Sequence, residues 1–304
     1  MLSSDLIRKR VLITGANGML GNRLVKFFHG LDNYQVLATS VEKSPVFKDV
    51  EYICCDLTQR ESVKKIALDF YPDFIINTAA FTNVDLCEQE REQAWKVNVK
   101  AVEYLSEIAR ILDARLIHIS TDYIFDGTAG PYSENAKPNP QSYYARTKLA
   151  SENVLRISGV LYTILRTNVL YGSKINNKPD FVIWVIDNLR KKNQIRIVTD
   201  QISNPTFVDD LVQAISKVVQ FRKTGIFNIG GKEFISRYDF TCRIADFFNL
   251  DKSLILPITT AELNQPARRP LKSGLLTIKA ESELGYKAHS FEESFTLMKK
   301  ENSL

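Results

Sequence analysis

Val11-Leu12-Ile13-Thr14-Gly15-Ala16-Asn17-Gly18-Met19-Leu20-Gly21 is an apolar run that breaks into glycines and then resumes with helix-forming residues. The run predicts a strand at 11–14 and a helix at 20–28. Glycine between them allows a tight turn and close approach of backbone. The unpaired N–H groups and positive dipole end of the helix then face the turn, which suits a dinucleotide pyrophosphate. Glycine spacing alone is weak evidence, since such turns also merely pack a helix on a strand; its place directly behind a strand gives it weight. Gly15, Asn17, Gly18, Met19 and Leu20 are the first candidates for cofactor contact.

Outward from this turn, short β-rich runs alternate with helical stretches up to about residue 170. Strands are expected at 11–14, 35–39, 51–54, 74–77, 116–120 and 162–166, and helices at 20–28, 61–70, 89–112 and 142–155. That alternation predicts an α/β chain with a Rossmann-type, doubly wound parallel sheet. Ligands of such sheets lie at the carboxyl ends of the strands, where Gly15, Asp56, Asn77 and Thr121 all fall. After Tyr171-Gly172 the character changes. A polar loop at 173–180 leads into a smaller lobe, an amphipathic helix begins in Asn204-Pro205-Thr206-Phe207-Val208-Asp209-Asp210, and a strand at 225–229 returns to the sheet. Ser236-Arg237-Tyr238-Asp239 has a capping-box pattern before a helix that runs to Phe248.

A second constellation carries chemistry. Tyr144 and Lys148 are four residues apart and share a helix face. A phenol with a pKa of about 10 is a weak acid, and a nearby ammonium stabilises its phenolate, so the pair can exchange a proton with a substrate oxygen. Thr121, at the end of the strand around Leu116-Ile117-His118-Ile119, offers a hydroxyl to the same oxygen. Alone, the pair is equally an ordinary i,i+4 contact on a solvated helix; the glycine turn upstream favours the catalytic reading.

These pieces resemble the extended short-chain dehydrogenase/reductase superfamily and, within it, the dTDP-4-dehydrorhamnose reductase family. The resemblance rests on the glycine turn, Asp56-Leu57, Asn77-Thr78-Ala79-Ala80, Ser120-Thr121-Asp122-Tyr123-Ile124-Phe125-Asp126-Gly127, Tyr144 to Lys148, Leu165-Arg166-Thr167, Asn204-Pro205-Thr206 and Arg269-Pro270, in family order over nearly the whole chain. It implies NAD(P)H-dependent reduction of the keto group of a nucleotide-linked 4-keto-6-deoxy sugar. Thr121, Tyr144 and Lys148 would be catalytic, with Lys148 also gripping the nicotinamide ribose. Ser40, Asp56, Leu57, Asn77, Ala79 and Ala80 would join the cofactor contacts, and Asp122, Tyr123, Phe125 and Arg269 would contact substrate. Asp56 fits a cap on the following helix as well. Asn98, in Val97-Asn98-Val99, resembles a family asparagine near the active site. The interleaving implied by the superfamily assigns 1–170 plus 205–232 to the NAD(P)-binding domain and 171–204 plus 233–304 to the substrate lobe.

The chain departs from the family in two places. Asn168 follows Leu165-Arg166-Thr167 where the rhamnose-pathway reductases usually carry a tryptophan, so a related nucleotide-linked 4-keto-6-deoxy sugar fits better than dTDP-4-dehydrorhamnose itself. Asn22-Arg23 replaces the glutamate with which some dimeric members share magnesium, so no metal is expected. At the end of the second strand, Thr39-Ser40-Val41 holds no acid, and Glu42 is followed by Lys43. This favours NADPH with NADH possible, and reverses if Glu42 reaches the ribose.

Bulk properties set limits. The 304 residues are 44% hydrophobic and 25% charged, enough for a full core, and the net charge of +5 arises from well-mixed residues, which argues against nucleic acid. Cys54, Cys55, Cys87 and Cys242 show no metal or disulfide pattern, and His118 is expected as a core imidazole. With no membrane-length apolar run and no signal-peptide pattern, a cytoplasmic monomer or homodimer is expected. Two other classes stay open: a non-catalytic NADP-binding regulatory subunit, and an epimerase or dehydratase that returns its hydride.

Overall fold

The computed structural model describes residues 8–172 and 179–302, so most of the expected 173–180 loop lies outside the described residues. The strands are β1 (Lys9–Thr14), β2 (Tyr34–Ser40), β3 (Glu51–Cys54), β4 (Phe74–Asn77), β5 (Arg115–Thr121), β6 (Tyr162–Thr167), β7 (Leu170–Tyr171), β8 (Ile195–Val198), β9 (Ile202–Ser203), β10 (Thr206–Phe207), β11 (Gly225–Asn228), β12 (Ile235–Ser236) and β13 (Ile255–Ile258). Seven of them form a sheet in the order β11-β6-β5-β4-β1-β2-β3, with every pairing parallel.

Burial on both faces explains the unbroken apolar runs of its central strands. Val11, Ile13, Phe74 and Ile76 pack to one side with α1 (Met19–His29), whereas Leu12 and Ile75 pack to the other with α2 (Arg60–Phe70) and α5 (Ala101–Leu112). The first cluster does not stop at the sheet. It continues through α8 (Val208–Phe221) to Phe240 of α9 (Arg237–Phe247) and to Phe291 and Phe295 in the last helix. The second half of the chain thus rests on the first through shared apolar core, and β11 returns to pair with β6 as expected from the sequence.

One expected element is divided. Instead of a single helix over 89–112, the chain forms α3 (Leu86–Gln89), α4 (Arg91–Trp95), a π-helical turn (Lys96–Lys100) and then α5. The π turn contains buried Asn98, whose Oδ1 accepts from the Phe81 N–H while its Nδ2 donates to the Phe81 carbonyl and to Thr147 Oγ1. Thr147 lies on α6 (Tyr143–Ile157). These bonds tie the helix to the segment after β4 and to α6, which offsets the local break.

The Leu165-Arg166-Thr167 motif is structural. Arg166 is fully buried; its Nε and Nη2 donate to the Glu152 carboxylate at 2.9 and 2.8 Å. Asn204 is a similar hub: its Nδ2 donates to the carbonyls of Gly231 and Leu275, and its Oδ1 accepts from the Leu275 N–H and from Asn168 Nδ2.

Candidate active site

Strand order reverses between β1 and β4, and the crevice at their carboxyl ends is where such sheets bind ligands. The turn after β1 fits that role. Gly15 has φ +67°, and a Cβ there would stand 2.6 Å from the Ala79 nitrogen. A Cβ on Gly21 would stand 2.2 Å from the Gly15 carbonyl oxygen, so only glycine lets α1 start so close to the turn. No side chain caps α1, leaving its first N–H groups at the cleft wall lined by Gly18, Met19 and Leu20. This cradle fits a dinucleotide pyrophosphate.

The cleft has a volume of about 510 Å³. Asn77, Ala79 and Ala80 continue its first wall, and Thr121, Asp122, Tyr123, Tyr144 and Lys148 line it opposite. Tyr144 is held in the first turn of α6, whose N-cap Ser142 accepts from the Ala145 N–H. Burial chiefly, and then the Asp122 charge, raises the Tyr144 phenol well above its ordinary pKa, while the Thr121 hydroxyl pulls it down. Tyr144 therefore enters the site as a neutral proton donor. Tyr123 packs edge-on against it, ring centroids 6.1 Å apart.

Lys148 departs from the expectation that its ammonium moves the Tyr144 phenol. Its Nζ donates to the Ile119 carbonyl at 2.6 Å and lies 3.3 Å from His118 Nε2. Burial lowers its pKa to about 8, with Glu152 acting in the opposite sense. His118 is the expected core imidazole and completes a buried chain. Thr14 Oγ1 and the Ala79 N–H donate to Asn77 Oδ1, so Asn77 Nδ2 donates to His118 Nδ1. That leaves the proton on Nε2, directed at Ser151 Oγ 3.0 Å away, whose own hydroxyl donates to the Lys148 carbonyl. Burial first, and then the Lys148 charge, hold His118 neutral.

Asp122 is 1% exposed, and its Oδ2 makes no hydrogen bond of good geometry. Burial pushes its carboxyl up to about 6 against the pull of the Ser273 and Thr121 hydroxyls. Beside it, Val169 has φ +26°, a strained conformation for a β-branched residue, held by the Thr206 N–H on its carbonyl. Asn168, where the tryptophan was missed, is buried and bonded to Asn204 and Thr206.

Six expected contacts fall elsewhere. Phe125 is fully buried, stacked on Tyr132 at 4.3 Å beneath the Arg166 guanidinium, and does not reach the cleft. Arg269 is bound bidentately by Asp85, whose carboxyl it holds below the usual range. Asp56 accepts from the Thr58 N–H and hydroxyl, a local turn before α2, and Leu57 belongs to the core. Asn17 is turned away from the cleft: its Oδ1 accepts from the Val46 N–H and its Nδ2 donates to the Ser44 carbonyl, fixing the loop after β2. Ser40 Oγ donates to Glu42 Oε2 at 2.5 Å, and Asn17 Nδ2 reaches the same oxygen at 3.3 Å. A carboxylate is thus held at the end of β2. Sequence reading missed Arg237, which lines the cleft from the first position of α9, because nothing local marks a helix-start arginine as a ligand.

A family profile described as the RmlD substrate binding domain matches residues 9–303. The chain belongs to that family. It is 34% identical to dTDP-4-dehydrorhamnose reductase of Aggregatibacter actinomycetemcomitans, over 91% of this chain and 93% of that one. The crystal structure of the dTDP-4-dehydrorhamnose reductase from Bacillus anthracis in complex with NADP is 29% identical, with TM-score 0.86, covering 97% of this chain and 99% of that one. Within the same range, methionine adenosyltransferase 2 subunit beta of Xenopus tropicalis is 34% identical over 83% of this chain and 75% of its own length. Among the described residues there is no group of His, Cys, Asp and Glu that could hold a metal, and no helix long and apolar enough to cross a membrane.

Proposed function

We propose that this RmlD-family protein reduces the keto group of a nucleotide-linked 4-keto-6-deoxy sugar with NADPH. The observation that carries the reading is the shared cleft of Thr121, Tyr144 and Lys148 opposite the uncapped start of α1. Gly15, Gly18, Met19 and Leu20 would hold the cofactor diphosphate, with Asn77, Ala79 and Ala80 toward the nicotinamide end. NADPH, when bound, supplies the hydride that reduces the ketone carbon. Thr121 holds the ketone oxygen through its hydroxyl, and Tyr144 gives that oxygen its proton as charge develops there. Lys148, braced by the Ile119 carbonyl, grips the ribose. Asp122 and Tyr123 face the sugar. Residues 1–170 plus 205–232 form the cofactor domain in this reading and 171–204 plus 233–304 the substrate lobe; a cytoplasmic monomer or homodimer suffices, since one chain supplies every named residue.

The test follows NADPH absorbance with purified protein and a panel of nucleotide-linked 4-keto-6-deoxy sugars. Substrate-dependent oxidation that vanishes in Tyr144→Phe supports the reading. NADPH binding with no turnover on the panel, together with a co-purifying partner enzyme, would select a regulatory subunit instead.

A further inference from the structure

The cleft-lining residues carry two cations, Lys148 and Arg237. Lys148 is committed to the Ile119 carbonyl. Arg237 is not committed: among the described residues its guanidinium makes neither hydrogen bond nor salt bridge, and its carbon sits over the Phe181 ring, 4.4 Å from the centroid. Burial lowers its pKa, and the Tyr123 phenol and Asp122 carboxyl act on it in the opposite sense. A half-buried guanidinium with all five donors unused has lost hydration without gaining a partner, a cost that an incoming anion removes. Arg269, expected from the sequence to meet an anion, is already neutralised by Asp85.

We propose that Arg237 anchors the diphosphate of the nucleotide-linked substrate, an inference that rests on the function proposed above. Contact with Phe181 holds the guanidinium at the cleft, where its paired N–H groups are free to meet two phosphate oxygens at once, and the phosphates are drawn to the start of α9. The neighbouring Asp122 repels a doubly charged group placed too deep, which leaves the uncharged sugar against Tyr123, Thr121 and Tyr144. Arg237 thereby sets how far the nucleotide sugar enters.

The experiment titrates dTDP and, separately, NADPH into wild type, Arg237→Gln and Arg237→Lys by calorimetry, with steady-state kinetics on a turned-over sugar nucleotide. Arg237→Gln is expected to weaken dTDP by roughly tenfold to 100-fold, as loss of a charge-assisted pair does. KM for the sugar nucleotide should rise in parallel, with kcat within about threefold and NADPH affinity within about twofold. Arg237→Lys, which keeps the charge and loses the fork, should fall between. Unchanged dTDP binding in Arg237→Gln would overturn the inference and leave the proposed function standing; it would also be the result if Arg237 met a sugar carboxylate. Parallel loss of dTDP and NADPH affinity would make Arg237 a structural residue and overturn it too. Failure of wild type to bind dTDP, with no sugar nucleotide reduced, would remove the functional reading itself.

Discussion

The two walls of the cleft are built by different means. The wall proposed for the cofactor is one strand, one glycine turn and the uncapped start of one helix, so the donors it offers are backbone N–H groups of residues adjacent in sequence. The wall proposed for substrate draws side chains from separate segments: Asp122 and Tyr123 after β5, Asn168 to Leu170 after β6, and Arg237 at the start of α9. Backbone donors persist under most substitutions, provided the glycines remain; side-chain donors are lost one at a time. Mutations should therefore damage the first wall through shape and the second through charge.

The largest effect sharpens the contrast at its meeting point. Tyr144→Phe should lower kcat by about 1000-fold, the scale of a positioned general acid, with NADPH affinity within about twofold. A rate near that of wild type would take proton delivery away from the phenol. On the cofactor wall, Gly15→Ala must place a methyl 2.6 Å from the Ala79 nitrogen at φ +67°. NADPH affinity should fall by roughly 100-fold, read by fluorescence titration, while dTDP binding changes little. If dTDP binding fell equally, the two walls would not be separable.

Asp122 gives the substrate wall a pH signature. Its folded pKa of about 6 lies above the unfolded value of 3.8, so the folded state binds more protons between these values. Stability is lost as pH rises through that window, by roughly 3 kcal/mol for about two units. Thermal melts at pH 4 and pH 7 should show Asp122→Asn gaining stability relative to wild type by this amount between the two; a gap that does not change with pH would place the Asp122 titration elsewhere. The smallest effect concerns cofactor choice. The Glu42 carboxylate, held by Ser40 and Asn17, disfavours a 2′-phosphate without excluding it. Glu42→Ala should move the NADPH to NADH affinity ratio roughly fivefold further toward NADPH. A constant ratio would put Glu42 beyond reach of the ribose.

Legibility follows the same division. The positions of β1, β4 and β5, the glycine turn and the Tyr144 helix were apparent because each depends on neighbours a few residues away: apolar runs, a conformation open to glycine, and i,i+4 spacing. Phe125 and Arg269 look like ligands in a motif because sequence shows residue type without direction. Stacking on Tyr132 turns Phe125 inward, and Asp85, from a segment distant in sequence, neutralises Arg269. The break of the 89–112 helix also needed Phe81 and Thr147 to hold Asn98.

By itself, then, the sequence determined the doubly wound sheet and brought Thr121, Tyr144 and Lys148 forward as candidates, which the structure places in one cleft. These follow from local propensity and from periodicity, which act within a few turns of chain. Only tertiary structure decided which arginine keeps its charge free, that a carboxylate stands at the end of β2, and that the Ile119 carbonyl holds Lys148. Desolvation and charge pairing are properties of what meets in space, and no spacing along the chain encodes them.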